Sequence, residues 1–464
     1  MILPTRTGTP ASHWLHDVNP ARSSRTPLHG HRAYDVAIVG GGYTGLWAAH
    51  YLLRNAPGTR IAILEAHHVG AGASGRNGGW LSHLVPGNRS VYAHQAGKDR
   101  TLALQRLMIE AVEEVLSEAA SLNLAIDAVQ GGNLVVASTP AELHRLKARC
   151  RADREFGLTD VECRLVSASE AKQRINVHGA IGGLYYPTVA RIHPAKLVDG
   201  LATAVEDAGV RIFERSPAVT VSPGRLTTPT GSVEADHVLV CTEGYGGALL
   251  GKRQVIPINS SMIVTPPLSQ DAWQHIGWEN RECFSDAAHT FVYAQRTQDD
   301  RIAIGGRGNP YRFASNTNLK GRTPASTTRA LLARLADYFP DIHLTADSSW
   351  SGVLGVTRDW CAKITHDPRG LTAAYGYAGH GVTSANLAAR AMVDLTLNRA
   401  TELTRIPLVG HRSPRWEPEP LRWLGVHTMY HLFETADAWE RQRQQQRTSL
   451  LARFGARLAG LDGQ

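Results

Sequence analysis

Tyr34-Asp35-Val36-Ala37-Ile38-Val39-Gly40-Gly41-Gly42-Tyr43-Thr44-Gly45-Leu46 is the stretch on which the fold turns. Its first half is a short β-branched run, the composition of a parallel strand buried on both faces. Leu46 to Arg54 has helical composition and stops at Pro57-Gly58, and Arg60 to Leu64 reads as a second strand that closes on Glu65. Strand, glycine turn, helix and strand make a βαβ unit of about 30 residues, the usual length for that motif. Gly40, Gly42 and Gly45 fit G-x-G-x-x-G, with Tyr43 and Thr44 between the last two. Gly40 permits the tight turn, Gly42 lets backbone approach a pyrophosphate, and Gly45 lets helix and sheet meet closely. The helix start adds unpaired N–H groups and partial positive charge.

Glu65, followed by Ala66, stands where a carboxylate accepts hydrogen bonds from ribose hydroxyls. An acid there repels a 2′-phosphate, so the unit is expected to take FAD or NAD rather than NADP.

Composition narrows the class. The 464 residues are 43% apolar and 19% charged, which excludes a disordered chain or a coiled coil. The formal charge is +8, but lysine supplies only 7 of the 49 basic residues, and the arginines are dispersed. No dense basic run marks a nucleic-acid surface, so no nucleic-acid partner is expected. The five cysteines form no C-x-x-C pair and the histidines have no ligand spacing, so reduced thiols and no metal are expected. Met1 to Pro10 has no apolar core of a signal peptide, and the apolar stretch Val36 to Leu53 is interrupted by glycines. The expectation is a cytoplasmic protein with no membrane span.

The fold class expected is α/β: a Rossmann-type dinucleotide domain interleaved with an antiparallel-sheet substrate domain, plus C-terminal helices. Residues 1–33 read as an irregular arm. Residues 34–100, 178–250 and 345–400 are assigned to the dinucleotide domain, and 101–177 and 251–344 to the substrate domain. Strands are expected at Gly132 to Ser138, Val210 to Phe213, Val233 to Cys241, Val255-Ile256, Ser261 to Thr265, Thr290 to Gln295 and Arg301 to Ile304, with a hairpin turn at Asp299-Asp300. Residues 401–464 form a helical extension. Its arginines, taken over 412–464, are offset by glutamates, which argues against a membrane-surface role.

Gly72-Ala73-Ser74-Gly75-Arg76-Asn77-Gly78-Gly79 resembles the second flavin-contacting stretch of the D-amino-acid oxidase-like family of FAD-dependent oxidoreductases. Asp35 to Leu46, Gly209 to Val219, Ala235 to Thr242, Arg301 to Arg307, Trp350 to Thr357 and Gly379-His380-Gly381 are similar to that family too, so the likeness spans most of residues 34–395. It is nearest in style to the γ-glutamylputrescine, glycine and sarcosine oxidases, including the arm Ser12-His13-Trp14. The resemblance implies FAD. Arg76 and Asn77 with their glycines would wrap the ring edge, and the backbone of Val219 would meet adenine. Gly379, His380, Gly381, Val382 and Thr383 would lie beside the isoalloxazine, where helix-start N–H groups stabilise negative charge.

The family reaction implied is oxidation of a C–N bond in a small amine or amino acid. Hydride passes from the α-carbon to flavin N5, the imine hydrolyses, and O2 returns H2O2. His380, Tyr293, Arg307 and Trp350 are the candidate substrate-side residues. Arg307 can fork a carboxylate, although a surface arginine reads the same. Tyr293 and Trp350 suit an apolar wall or an ordinary core. Lys363 could set a charge near the flavin or be a solvated lysine. Two departures stand out. The stretch Gly352 to Val356 has no cysteine, with Cys361 several residues later, so the FAD is expected to be non-covalent. Phe291 to Ile304 has no lysine, which keeps open an amine dehydrogenase that uses another electron acceptor. A flavoprotein acting on modified tRNA is the reading from a different class.

Overall fold

The structure, a computed structural model, describes residues 12–18, 25–251, 253–306, 308, 310–317 and 320–460. One sheet carries the strands Lys363–Asp367, Leu371–Tyr375, Gly231–Val240, Gly30–Val39, Ile61–Leu64 and Arg211–Phe213 in that order. Gly30–Val39 lies at its centre, parallel to Gly231–Val240 on one side and Ile61–Leu64 on the other. Val36 and Ile38 face one buried cluster while Ala37 and Val39 face another, which is why this strand reads as an unbroken apolar run. The helices Tyr43–Asn55, Lys98–Ser121, Pro194–Asp207 and Gly381–Thr396 cover the first of those faces through residues such as Leu46, Met108, Leu201 and Leu387.

The second sheet runs Ser348–Val356, Ile256–Val264, Ile302–Gly306, Tyr293–Arg296, Cys283–Asp286, Asn133–Ala137, Gly182–Tyr186 and Arg164–Ser167. It is antiparallel except where Cys283–Asp286 meets Asn133–Ala137. The α/β class with an interleaved antiparallel lobe thus stands. Several local expectations are corrected. Gly182–Tyr186 and Ser348–Val356, read from sequence with the dinucleotide lobe, pair in the second sheet. Lys98–Ser121, read mostly with the substrate lobe, covers the first sheet. The two strands expected at Val255-Ile256 and Ser261 to Thr265 are one strand, Ile256–Val264, because it is paired along its length with Ser348–Val356 despite Pro257. The strand expected from Thr290 starts at Tyr293, since Asp437 takes the N–H groups of His289 and Thr290 at 2.8 and 2.9 Å.

The arm is not wholly irregular: His13–Val18 is a short helix and the first strand already begins at Gly30. Among its described residues the C-terminal extension forms two α-helices, Leu421–Gln442 and Leu450–Ala459, after a single 3-10 turn at Leu403–Arg405. Among the described residues, no helix is long and apolar enough to cross a membrane.

Candidate active site

A cavity of about 1310 Å³ runs from the glycine turn, along the ends of the parallel strands, to the start of Gly381–Thr396 and the edge of the second sheet. That is the end of an open parallel sheet where ligands of this architecture bind.

The turn is built as its spacing demands. Gly40 has φ +112°, and a Cβ there would stand 2.5 Å from the carbonyl oxygen of Cys241. A Cβ on Gly45 would stand 2.1 Å from the carbonyl oxygen of Gly40, so helix and turn touch only because both lack side chains. The helix starts at Tyr43, earlier than its composition suggests. Gly42, Tyr43 and Thr44 line the cavity, while Gly45 packs beneath it. Ser74 Oγ reaches in from the second glycine stretch to accept the N–H of Tyr43 at 2.9 Å. Glu65 lines the wall and braces the turn, accepting N–H groups from Gly41 at 2.8 Å and His67 at 2.9 Å. Burial raises its carboxyl above the ordinary range, and those N–H bonds oppose the rise. Each carboxylate oxygen keeps acceptor capacity for a ribose hydroxyl.

The loop 72–79 brings Ala73, Ser74, Arg76 and Asn77 to the wall. Two indoles hold it: Trp14 Nε1 donates to the carbonyl of Asn77 and Trp350 Nε1 to that of Arg76, both at 2.9 Å. Asn77 was expected to use its amide on a ring edge. Instead Nδ2 donates to the carbonyls of Ala73 and Ser74, and Oδ1 accepts the N–H of Gly79 at 2.8 Å. Gly78 and Gly79 sit behind the wall, against the Tyr293 ring and against Gln295 with the carbonyl of Ile192.

At the far end Gly379, Gly381 and Val382 line the cavity, and His380 between them caps the helix start. Thr383 turns away, its hydroxyl accepting the N–H of Ser82 at 3.0 Å. Val219 is 59% exposed and gives its N–H to Thr227, so Pro217 and Ala218 form the wall there. Ala66 lies on the wall beside Glu65. Trp350 is buried in a cluster with Trp14 and Met262, which makes it core rather than an open wall. The Tyr293 hydroxyl is 2.8 Å from Ser260 Oγ, and its ring packs on Gly78 and Gly305. Arg307 lies outside the described residues. Lys363 is buried and donates to Gln254 at 3.0 Å, away from the cavity. Cys361 is likewise off the wall, its thiol pushed up to about 12 by burial.

Sequence reasoning missed several lining groups. Arg301, Lys320 and Arg322 give the second-lobe side of the cavity its positive charge; His13 from the arm helix also lines it, its imidazole pushed below the ordinary range by burial. Arg301 is itself paired with Asp299 and Asp347. Glu243, just past the strand Gly231–Val240, accepts the N–H of Tyr377 at 2.8 Å. An acid at the ligand-side end of a parallel strand beside the first one was the signal available. Gly40 and Gly45 press against backbone, so the turn closes this tightly only without side chains there, and Gly40, Gly42, Tyr43 and Thr44 line the cavity at a helix start, which fits a dinucleotide pyrophosphate.

Residues 35–395 match the family model described as FAD dependent oxidoreductase (DAO). The γ-glutamylputrescine oxidoreductase of Escherichia coli is 29% identical over 395 residues, 82% of this chain and 89% of that one. The glycine oxidase of Geobacillus kaustophilus is 26% identical over 388 residues, 81% of this chain and 96% of that one. A crystal structure of glycine oxidase from Geobacillus kaustophilus matches the fold with a TM-score of 0.68 at 23% identity, covering 83% of this chain and all of that one.

Proposed function

Because the chain belongs to the FAD-dependent oxidoreductase family, acting on amines or amino acids, we propose that it oxidises the C–N bond of a small primary or secondary amine that carries an acidic group. The observation that carries this reading is the single cavity joining the glycine cradle to a cationic second-lobe wall. The flavin, when bound, supplies the two-electron chemistry, taking hydride from the carbon that bears nitrogen and returning the electrons to O2 as H2O2.

The chain's own residues supply position and field. Gly40, Gly42 and the helix start at Thr44, beyond the Tyr43 N–H that Ser74 takes, hold the pyrophosphate, and Glu65 holds the ribose. The helix start at Gly381–Thr396 directs N–H groups toward the ring end, where they favour negative charge. Arg322 and Lys320 draw an acidic group of the substrate to the second-lobe wall, and Arg322 suits a bidentate grip. With Cys361 off the wall, and Cys241 at the phosphate end against Gly40, the cofactor is held without a covalent bond.

A second reading, electron transfer to a carrier other than O2, is favoured by the lack of lysine from Phe291 to Ile304 and by Lys363 facing Gln254. Anaerobic mixing with a panel of amines and N-alkyl amino acids should bleach the visible flavin band for at least one acidic amine. Admitting air should restore it within one turnover and release peroxide. Bleaching without rapid restoration favours the carrier, and no bleaching by any amine removes the proposed reaction.

A further inference from the structure

The helix Leu450–Ala459 presents its faces in reverse. Its small residues point inward: Ala452 and Gly455 are buried, and a Cβ on Gly455 would stand 3.0 Å from Met429 and 3.4 Å from Phe433 of the preceding helix. Its bulky apolar residues point to water, with Leu450 79%, Phe454 59% and Leu458 52% exposed. Spaced four apart, these three form one stripe along the helix. The helix cannot easily roll to bury them. At its start the N–H of Ser449 donates to Glu440 Oε1 of the preceding helix at 2.8 Å. At its end the carbonyls of Leu458 and Ala459 accept from Arg358 at 3.1 Å and Trp360 at 3.0 Å.

Charge selects what covers this stripe. Arg441, Arg443, Arg447, Arg453 and Arg457 follow one another with no Asp or Glu from 441 to 460. Asp462 follows as a single acid; the other acids of the extension all come earlier, and Glu440 and Glu419 are held by Arg145 and Arg422. Arg453 and Arg457 are exposed and sit beside the stripe at helical spacing. A second copy laid on this face would set arginine against arginine, on a chain whose formal charge is already +8. An anionic surface complements the net positive charge of residues 441–464, five arginines against one acid.

We propose that Leu450–Ala459 is a peripheral docking face for an anionic lipid bilayer. Leu450, Phe454 and Leu458 enter the boundary of the acyl chains, and the flanking arginines meet headgroup phosphates. The helix lies beyond residues 35–395, so the matched family segment does not include it. The attachment involves no spanning segment and leaves the cavity intact.

The test sediments the FAD-loaded full chain with vesicles of phosphatidylcholine alone or mixed with phosphatidylglycerol. Binding is expected only to the mixed vesicles, and the salt dependence of surface charge should weaken it severalfold between about 0.05 and about 0.5 M NaCl. The variant Leu450→Ser/Phe454→Ser/Leu458→Ser should lose about tenfold or more in affinity while keeping its flavin colour. Arg453→Gln/Arg457→Gln, which keeps the apolar stripe, should also bind less and decides the matter if the triple variant does not fold. No binding to mixed vesicles at low salt overturns the proposal. So does unchanged binding by both variants, or a solution dimer that the triple variant dissolves.

Discussion

The carboxylate of Glu243 accepts the backbone N–H of Tyr377 at 2.8 Å. One acid thereby ties the end of the strand Gly231–Val240 to the loop that enters Gly381–Thr396. The N–H groups of Gly376 and Gly355 are directed at the same carboxyl. Burial outweighs these bonds and pushes Glu243 up to about 7. The cavity is therefore braced by a group that titrates near neutrality.

That shift has a definite sign in stability. Below the ordinary glutamate value of 4.5 the side chain is neutral folded and unfolded, and its contribution is complete. As pH rises through about 7 the unfolded chain is ionised while the folded one must ionise a buried carboxyl, and the contribution is lost. The loss amounts to as much as ~3 kcal/mol. Glu243→Gln removes the titration. Its Tm relative to the parent should climb between pH 4.5 and about 7, then level off. Scanning fluorimetry across that window checks this, and a pH-independent difference contradicts it.

The glycines of the turn should fail in different ways. A Cβ on Gly45 meets the carbonyl of Gly40 at 2.1 Å, which can yield only by moving helix from turn. A Cβ on Gly42 meets Ser74 Oγ at 2.8 Å, the atom that accepts the N–H of Tyr43, on the wall assigned to the pyrophosphate. Gly42→Ala should weaken FAD binding at least about tenfold, or ~1.4 kcal/mol, with little change in the Tm of the deflavinated protein, whereas Gly45→Ala should lower that Tm as well. FAD titration and thermal unfolding of the deflavinated protein separate the two, and unchanged FAD affinity in Gly42→Ala would count against the cradle.

Trp14 and Trp350 act on the loop 72–79 as a pair, since their indoles donate to adjacent carbonyls, Asn77 and Arg76. Trp14→Phe and Trp350→Phe should each lose about 1 kcal/mol through the missing donor. The rings are 5.8 Å apart, so a double-mutant cycle should give a non-zero coupling energy. Additive losses in denaturant unfolding would mean that the two indoles hold the loop independently.

Arg322 on the second-lobe wall should act on charge in the substrate. Arg322→Ala should raise KM about tenfold or more for an amine bearing a carboxylate and leave an uncharged amine nearly unchanged, because bonds to charged groups are the stronger ones. Steady-state kinetics on a matched pair of substrates makes the comparison. Equal effects on both would assign Arg322 a structural role.

Some of this was legible in order of residues alone. Strand, glycine turn, helix and Glu65 lie within one stretch of chain, and local sterics dictate their arrangement. Gly379-His380-Gly381 was legible as a helix start for the same reason. Glu243 was missed because the N–H it braces belongs to Tyr377, 134 positions away in the sequence. Asn77 reaches the cavity wall, but its amide bonds locally to Ala73, Ser74 and Gly79, a choice of partners that composition does not state. Trp350 stays open between wall and core in the sequence, because an aromatic residue looks alike in both until its neighbours are known; the cluster with Trp14 and Met262 decides for the core.

The sequence by itself determined the dinucleotide unit, because glycine spacing and strand hydrophobicity act between near neighbours along the chain. Only the tertiary structure decided which strands complete each sheet, which cations reach the cavity and which face of the last helix meets water. Those outcomes depend on burial and pairing among segments that are distant in sequence, where each side chain's energy is set by partners its own neighbourhood does not contain.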